Sequence, residues 1–387
     1  MFKRILNALN TESDPIASEF FQKGVQQMRL GAYENAITNF SEVIARQPQN
    51  LNAYSNRATC LALNGQPTAA IEDANLVIKK NPTFAHPYAA RGIAQHELSN
   101  INEALADANE ATRLSPDYVF AHWLRGNIFY TQKRYDDAIA AYKTTIHKSP
   151  DFALAYFGLG LSYSCKNNID QAIKALENTI ELAPRHWMAY CQLGLMRMGK
   201  DDYVQASKCF KKSIGIHSRN PIAYIGIGMI YGAEGDSQRA ILEYSNALLA
   251  DRTCALACQC RGFEYSRIGK LNLALDDCNE AIRLQPALTS AHTSRGHTYI
   301  LLQQPDEALA DFNRALKIDP KAKFSQVGKA VSLAAMQKMD EALEIWRSLA
   351  EITPRFLDVD DLQKEYRCAR VFTAYMKRII DTLNSRD

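Results

Sequence analysis

Residues 155–184 read AYFGLGLSYSCKNNIDQAIKALENTIELAP. Gly160 is followed twelve residues later by Ala172, and Ala172 twelve residues later by Pro184. The proline recurs as Pro48, Pro82, Pro116, Pro150, Pro184, Pro286, Pro320 and Pro354. Neighbours in each group are 34 residues apart, and the gap from 184 to 286 is three periods. The alanine recurs in all ten periods, from Ala36 and Ala70 through Ala308 and Ala342. The small residue ahead of it runs Gly24, Ala58, Gly92, Gly126, Gly160, Gly194, Gly228, Gly262, Gly296 and Ala330. Two small residues in register, one per helix, let a pair of antiparallel helices approach closely. Proline lacks an N–H and disfavours a helical residue before it, so it closes each pair. A fixed period of this length is the mark of a stacked repeat architecture.

Small–large spacing with a terminal proline at this period resembles the tetratricopeptide repeat. Large residues supply the rest of the pattern: Tyr54, Tyr88, Tyr156, Tyr190 and Tyr224 on the first helices, Phe40, Tyr142, Phe210, Tyr244, Phe312 and Trp346 on the second. The resemblance implies an all-α fold, a right-handed superhelical solenoid of helix hairpins with a C-terminal capping helix. Ten units follow without insertion: 17–50, 51–84, 85–118, 119–152, 153–186, 187–220, 221–254, 255–288, 289–322 and 323–356. Ser218 and Arg252 stand where proline is expected, which predicts irregular curvature around 215–255; Pro221 opens the next helix, a place that tolerates it.

Two segments flank the array. Residues 1–16 form an N-terminal amphipathic segment in which Phe2, Ile5, Leu6 and Leu9 share one helical face. It reads as a short helix docked on the first repeat; a partner-binding arm or a peripheral membrane contact through residues 1–10 is the alternative. Residues 357–387 place Leu362, Tyr366, Ala369, Phe372, Met376, Ile379 and Leu383 on one stripe. A solenoid needs its last open face covered, so this stripe reads as a capping helix. Each large side chain it buries contributes roughly 1.5–3 kcal/mol.

Composition narrows the function. The 387 residues are 47% hydrophobic and 22% charged, with 45 basic and 42 acidic side chains and a net charge of +3. That balance lacks the basic stripe of a nucleic-acid binder, and no apolar run is long enough to span a membrane. The nine cysteines are an odd number placed mostly inside helical patterns, which points to free thiols and a cytoplasmic setting. GIGMIYG (226–232) has the wrong spacing for a phosphate loop and lies within a helix. Cys254, Cys258, Cys260 and Cys278 are not spaced as a zinc knuckle. We therefore expect no enzyme activity, no metal and no cofactor.

Polar repeat positions predict structural ion pairs. Arg57, Arg91, Arg261 and Arg295 precede the small residue, and Asp73, Asp107, Asp277 and Asp311 follow sixteen residues later. Arg125 faces Ala141 instead. Breaking a pair costs about 3–5 kcal/mol if it is buried and under about 1 kcal/mol if exposed.

In the family the resemblance points to, first helices line the inner surface, where peptides bind. One mode, a carboxylate clamp for chaperone tails, uses Lys and Asn on the first unit, Asn on the second, and Lys and Arg on the third. Here those units carry Phe21 and Val25, then Asn56, then His86 and Ala90, so only Asn56 matches. Units four to seven differ from the rest. Their inner positions include Phe120, Trp123, Asn127 and Tyr130; Leu154, Phe157 and Leu161; Met188, Leu195 and Met198; Ile222, Ile225 and Met229. With Ser164, Cys191 and Gly232, thirteen of sixteen are apolar or aromatic, against six of sixteen in units two, three, eight and nine, so the excess is local. A contiguous apolar lining marks an interaction site, methionines make it adaptable, and Gly158 and Gly226 offer close backbone approach. The expected role is a scaffold or adaptor that takes an apolar or amphipathic protein segment in the groove of repeats four to seven. Alternatives are a homo-oligomeric assembly protein using that groove or the N-terminal helix, and a regulatory subunit of a separate enzyme.

Overall fold

The structure, a computed structural model, describes residues 14–352, 356, 358–360, 362 and 370–385. Phe2, Ile5, Leu6, Leu9, Pro354, Tyr366 and Ala369 lie outside the described residues. Among the described residues there are 21 α-helices and no strands. Eighteen form nine contacting pairs, from Pro15–Arg29 with Tyr33–Arg46 to Lys323–Ala335 with Met339–Ile352; Trp187–Met198 and Tyr203–Ile216 stand in sequence where the sixth pair is expected, and Arg370–Asn384 follows them. The chain is an all-helical solenoid of paired helices. It divides into two compact units, 1–196 and 197–387.

The periodic residues explain the pairs. All ten repeat alanines, Ala36 to Ala342, are fully buried. The glycine of the first helix faces the large residue sixteen positions on. A Cβ on Gly126 would sit 2.5 Å from the Tyr142 ring, and one on Gly228 would sit 2.6 Å from Tyr244. The first helix begins on a built cap: the Asp14 carboxylate accepts from the Ile16 and Ala17 amides at 3.0 and 3.3 Å, with Pro15 in the first turn.

Two backbone features hold the period. The turn inside each pair contains one residue in the left-handed region, at 31, 65, 99, 133, 167, 201, 235, 269, 303 and 337. Four are glycines, and six, including Lys133 (φ 60°) and Gln303 (φ 60°), carry side chains. Termination of the second helix does not require proline. His217 and Asp251 leave their helices with extended backbone (ψ 94° and 105°), as Ser149 does before Pro150 (ψ 91°). Helices Tyr203–Ile216 and Ser237–Ala250 are accordingly 14 residues long, like Tyr135–Lys148, despite Ser218 and Arg252.

The arginines bind in fork geometry. Arg57 donates to Asp73 from Nε and Nη2 at 2.7 and 2.9 Å. Arg91–Asp107, Arg261–Asp277 and Arg295–Asp311 repeat the arrangement at 2.7–2.8 Å. The remaining Nη1 reaches back sixteen residues to the preceding repeat: Ser41 for Arg57, Asn75 for Arg91, Ser245 for Arg261 and Asn279 for Arg295. Each arginine thus ties together three helices. The Asp73 hydrogen bond raises the Arg57 guanidinium above its usual value, against the opposing effect of burial. Arg125, which has no aspartate, keeps a buried Nε without an acceptor.

In the C-terminal unit, Arg370–Asn384 buries Phe372, Met376, Ile379, Ile380 and Leu383. It contacts both helices of repeat ten and also Thr289–Leu301, the first helix of repeat nine. It caps the array and also lies over first-helix surface.

Candidate functional site

The thirteen inner-face residues singled out from the sequence separate into three depths. In the N-terminal unit, Val119–Thr131 carries Phe120, Trp123, Asn127 and Tyr130, and Ala153–Cys165 carries Leu154, Phe157 and Leu161. Trp123 is only 8% exposed and belongs to the core, with Phe120, Tyr130 and Leu154 packed against it. In the C-terminal unit, Ile225 on Pro221–Ala233 is 3% exposed and packs with Ala240, Tyr244 and Ala257. Trp123 and Ile225 are therefore structural side chains, which corrects their reading as partner contacts. The reason is geometric. Their position, the fifth of the repeat, points between neighbouring pairs rather than out of the face.

Asn127 is also occupied, its Oδ1 accepting from the Tyr142 hydroxyl at 2.7 Å. Tyr130 lies 3.6 Å from the Cys165 sulfur through its hydroxyl, and burial pushes its phenol up to about 12. Phe157, Leu161, Leu195 and Met198 are half-buried. Met188, Ile222 and Met229 stand out, at 41%, 48% and 41% exposed. Leu256, which continues the second-position row of Ile222 into repeat eight, is 42% exposed. The open apolar residues are thus second-position Met188 in the N-terminal unit, and second-position Ile222 and Leu256 with ninth-position Met229 in the C-terminal unit, not fifth-position ones.

Gly158 and Gly226 do not open this surface to a visiting backbone. A Cβ on Gly158 would sit 2.4 Å from the Tyr142 ring, and one on Gly226 would sit 2.4 Å from Phe210. Both glycines make room for the aromatic ring of the preceding repeat, which corrects the expectation of close peptide approach.

The sequence reading missed an aromatic row in the N-terminal unit. The last residues of repeats two to five, Phe84, Tyr118, Phe152 and His186, meet rings of the first helices. His86 stacks on Tyr118 with centroids 4.1 Å apart and 14° between planes. Phe120 meets Phe152 edge-on at 5.1 Å, and Phe157 lies 4.6 Å from His186. Burial lowers His86 and His186 below the usual imidazole value, so both stay neutral near pH 7. The signal was the 34-residue recurrence of Phe84, Tyr118 and Phe152 ahead of each first helix.

No group of His, Cys, Asp or Glu able to hold a metal occurs among the described residues. Cys258 and Cys278 are buried in the core, and burial raises their thiols to about 11 and about 12, so they remain protonated. No described helix is long and apolar enough to cross a membrane.

Comparison with known proteins agrees with this architecture. Family models described as TPR repeat or tetratricopeptide repeat match residues 21–84, 126–164, 153–186 and 289–322. The Hsp70-Hsp90 organizing protein of Triticum aestivum is 35% identical over 83 residues, covering 21% of this chain and 14% of that protein. Stress-induced-phosphoprotein 1 of Caenorhabditis elegans is 32% identical over 73 residues, covering 19% of this chain and 23% of its own length. The chain thus spans less than a quarter of either relative. Among solved structures, the APC/C heterotetramer Cut9–Hcn1 superposes with a TM-score of 0.59 at 16% identity, over 82% of this chain and 76% of that one, a likeness of fold.

Proposed function

We propose, on the premise that the chain is a tetratricopeptide-repeat protein with multiple such motifs, that it is a non-catalytic scaffold or adaptor for protein segments. It takes apolar or amphipathic segments on first-helix faces, in repeats four and five of the N-terminal unit and repeat seven of the C-terminal unit, with repeat six contributing Met188. One observation carries this reading: Met188, Ile222 and Met229 remain 41–48% exposed on those faces, as does Leu256 at 42%, while Trp123 and Ile225, also on first helices, are buried. Exposed methionine and isoleucine on a repeat's inner position adapt to an apolar partner. Cys60, Cys165, Cys254, Cys258, Cys260 and Cys278 are free thiols, in keeping with a cytoplasmic setting.

The names of the relatives bring chaperone partners to mind, yet the clamp positions speak for a different ligand. Phe21 and Val25 line an apolar depression of about 470 Å³ on the first helix. His86 is stacked on Tyr118, and Ala90 is fully buried. None of these clamp positions supplies a cation for a carboxylate; Arg29 borders the same depression from outside them. The reading is tested by placing a photo-crosslinking residue at 188 or 229 in the native host. Crosslinks to one protein, lost when the neighbouring apolar residues become glutamate, support it. Absence of any crosslinked protein contradicts it.

A further inference from the structure

Residues at one position of the first helices change from open to sealed along the C-terminal unit. Met229 is 41% exposed, whereas His297 and Val331 at the same position of repeats nine and ten are 0% exposed. The cover is the chain's own helix Arg370–Asn384, whose Phe372 ring lies 5.0 Å from His297 and 5.8 Å from Phe324. The helix presents Phe372, Met376, Ile379, Ile380 and Leu383, spaced i, i+4, i+7, i+8 and i+11, and turns Lys377 and Arg378 outward to solvent. This is an amphipathic helix laid on the surface that, two repeats earlier, is open at Met229.

The floor beneath it is an apolar core with one unpaired polar group in it. His297 is completely buried with its Nε2 unpartnered, and its Nδ1 is 3.5 Å from the Ser266 hydroxyl. A core that never opens gains nothing from an orphaned imidazole, which is costly to bury unpaired. A surface that is alternately covered and wetted accommodates one, because water satisfies the ring whenever the cover leaves.

We propose that the first-helix face of repeats nine and ten is a helix-binding site, held in this structure by the chain's own C-terminal helix, and that its partner is an amphipathic helix of another protein with the same apolar spacing. The resident helix sets the specificity: an apolar stripe with no charge requirement, since its own charged side chains face away. The inference does not depend on what repeats four to seven bind.

The test uses the full chain carrying Phe372→Glu and Met376→Glu, with a fluorescein-labelled peptide of residues 370–385 as the probe. Hydrogen exchange is expected to show protection lost over 370–385 and kept over 289–349. The variant is expected to bind the probe at least tenfold more tightly than the wild-type chain, whose site is occupied. Collapse of protection across 289–349 makes the helix an inseparable part of the core and overturns the proposal. So does any outcome in which the variant binds the probe no better than wild type.

Discussion

The indole of Trp123 lies 6.0 Å from the ring of Phe152, inclined at 67°, and is sealed against solvent by it. Two helices and the turn before the second are joined by this contact. Trp123→Ala is therefore expected to destabilise the N-terminal unit by about 3–5 kcal/mol. Met188→Ala, at an exposed site, is expected to stay within about 0.5 kcal/mol of wild type. Urea melts followed by circular dichroism separate the two; equal effects refute the assignment of depth.

Arg125 offers a second test. Its Nε is buried without an acceptor, and the residue sixteen positions on is Ala141 where other repeats carry aspartate. Ala141→Asp supplies the missing fork partner and is expected to stabilise the chain by about 1 kcal/mol. In an Arg125→Ala background the same change should be neutral or unfavourable. A gain that persists without the arginine would mean the aspartate acts by another route.

The left-handed turn residues predict stabilisation by glycine. Lys133 and Gln303 hold φ of 60°, a conformation that costs a side-chain-bearing residue roughly 1–2 kcal/mol. Glycine removes that strain and loses about 0.5–1 kcal/mol in chain entropy. Lys133→Gly and Gln303→Gly should each raise the thermal midpoint slightly, and a fall in both would argue that the side chains make compensating contacts.

Acid should loosen the C-terminal unit through His297. Burial lowers its imidazole from the usual 6.5 to about 4. Between those values the unfolded chain binds the extra proton, so the stability present above pH 6.5 is lost as pH falls toward 4. His86, His96 and His186 are lowered in the same direction by burial and add to the slope. Thermal midpoints of wild type and His297→Leu across pH 7.5 to 4.5 isolate its share: the gap should widen in favour of the variant as pH drops. Parallel curves would show that His297 takes no part.

The repeat architecture was legible because each structural demand fixes a residue type at a fixed interval. Small residues at Gly126 and Ala138 permit helix contact, and Arg91 sixteen residues before Asp107 spells a fork. Depth was less legible. Positions such as Trp123 and Phe120 lie only three residues apart, and an apolar side chain suits either a sealed or an open site. Both meet the ring of Phe152 from the turn before the next first helix, a contact that spacing along one helix does not show. The glycines misled for the same reason: Gly158 answers to Tyr142 in the preceding pair, a contact between repeats rather than within one. The reach of the C-terminal helix over repeat nine was likewise hidden, since its stripe specifies that it is buried and not which surface buries it.

In the proposed function, exposed apolar residues on the first-helix faces bind protein segments. The most direct test is the affinity of the full chain for a fluorescein-labelled amphipathic Leu/Lys helical peptide, measured by anisotropy for wild type and for Met188→Glu, Ile222→Glu and Met229→Glu combined. These side chains are 41–48% exposed, so the variant should melt close to wild type while its affinity falls at least tenfold. Unchanged affinity in a folded variant would mean that these side chains bind no protein segment.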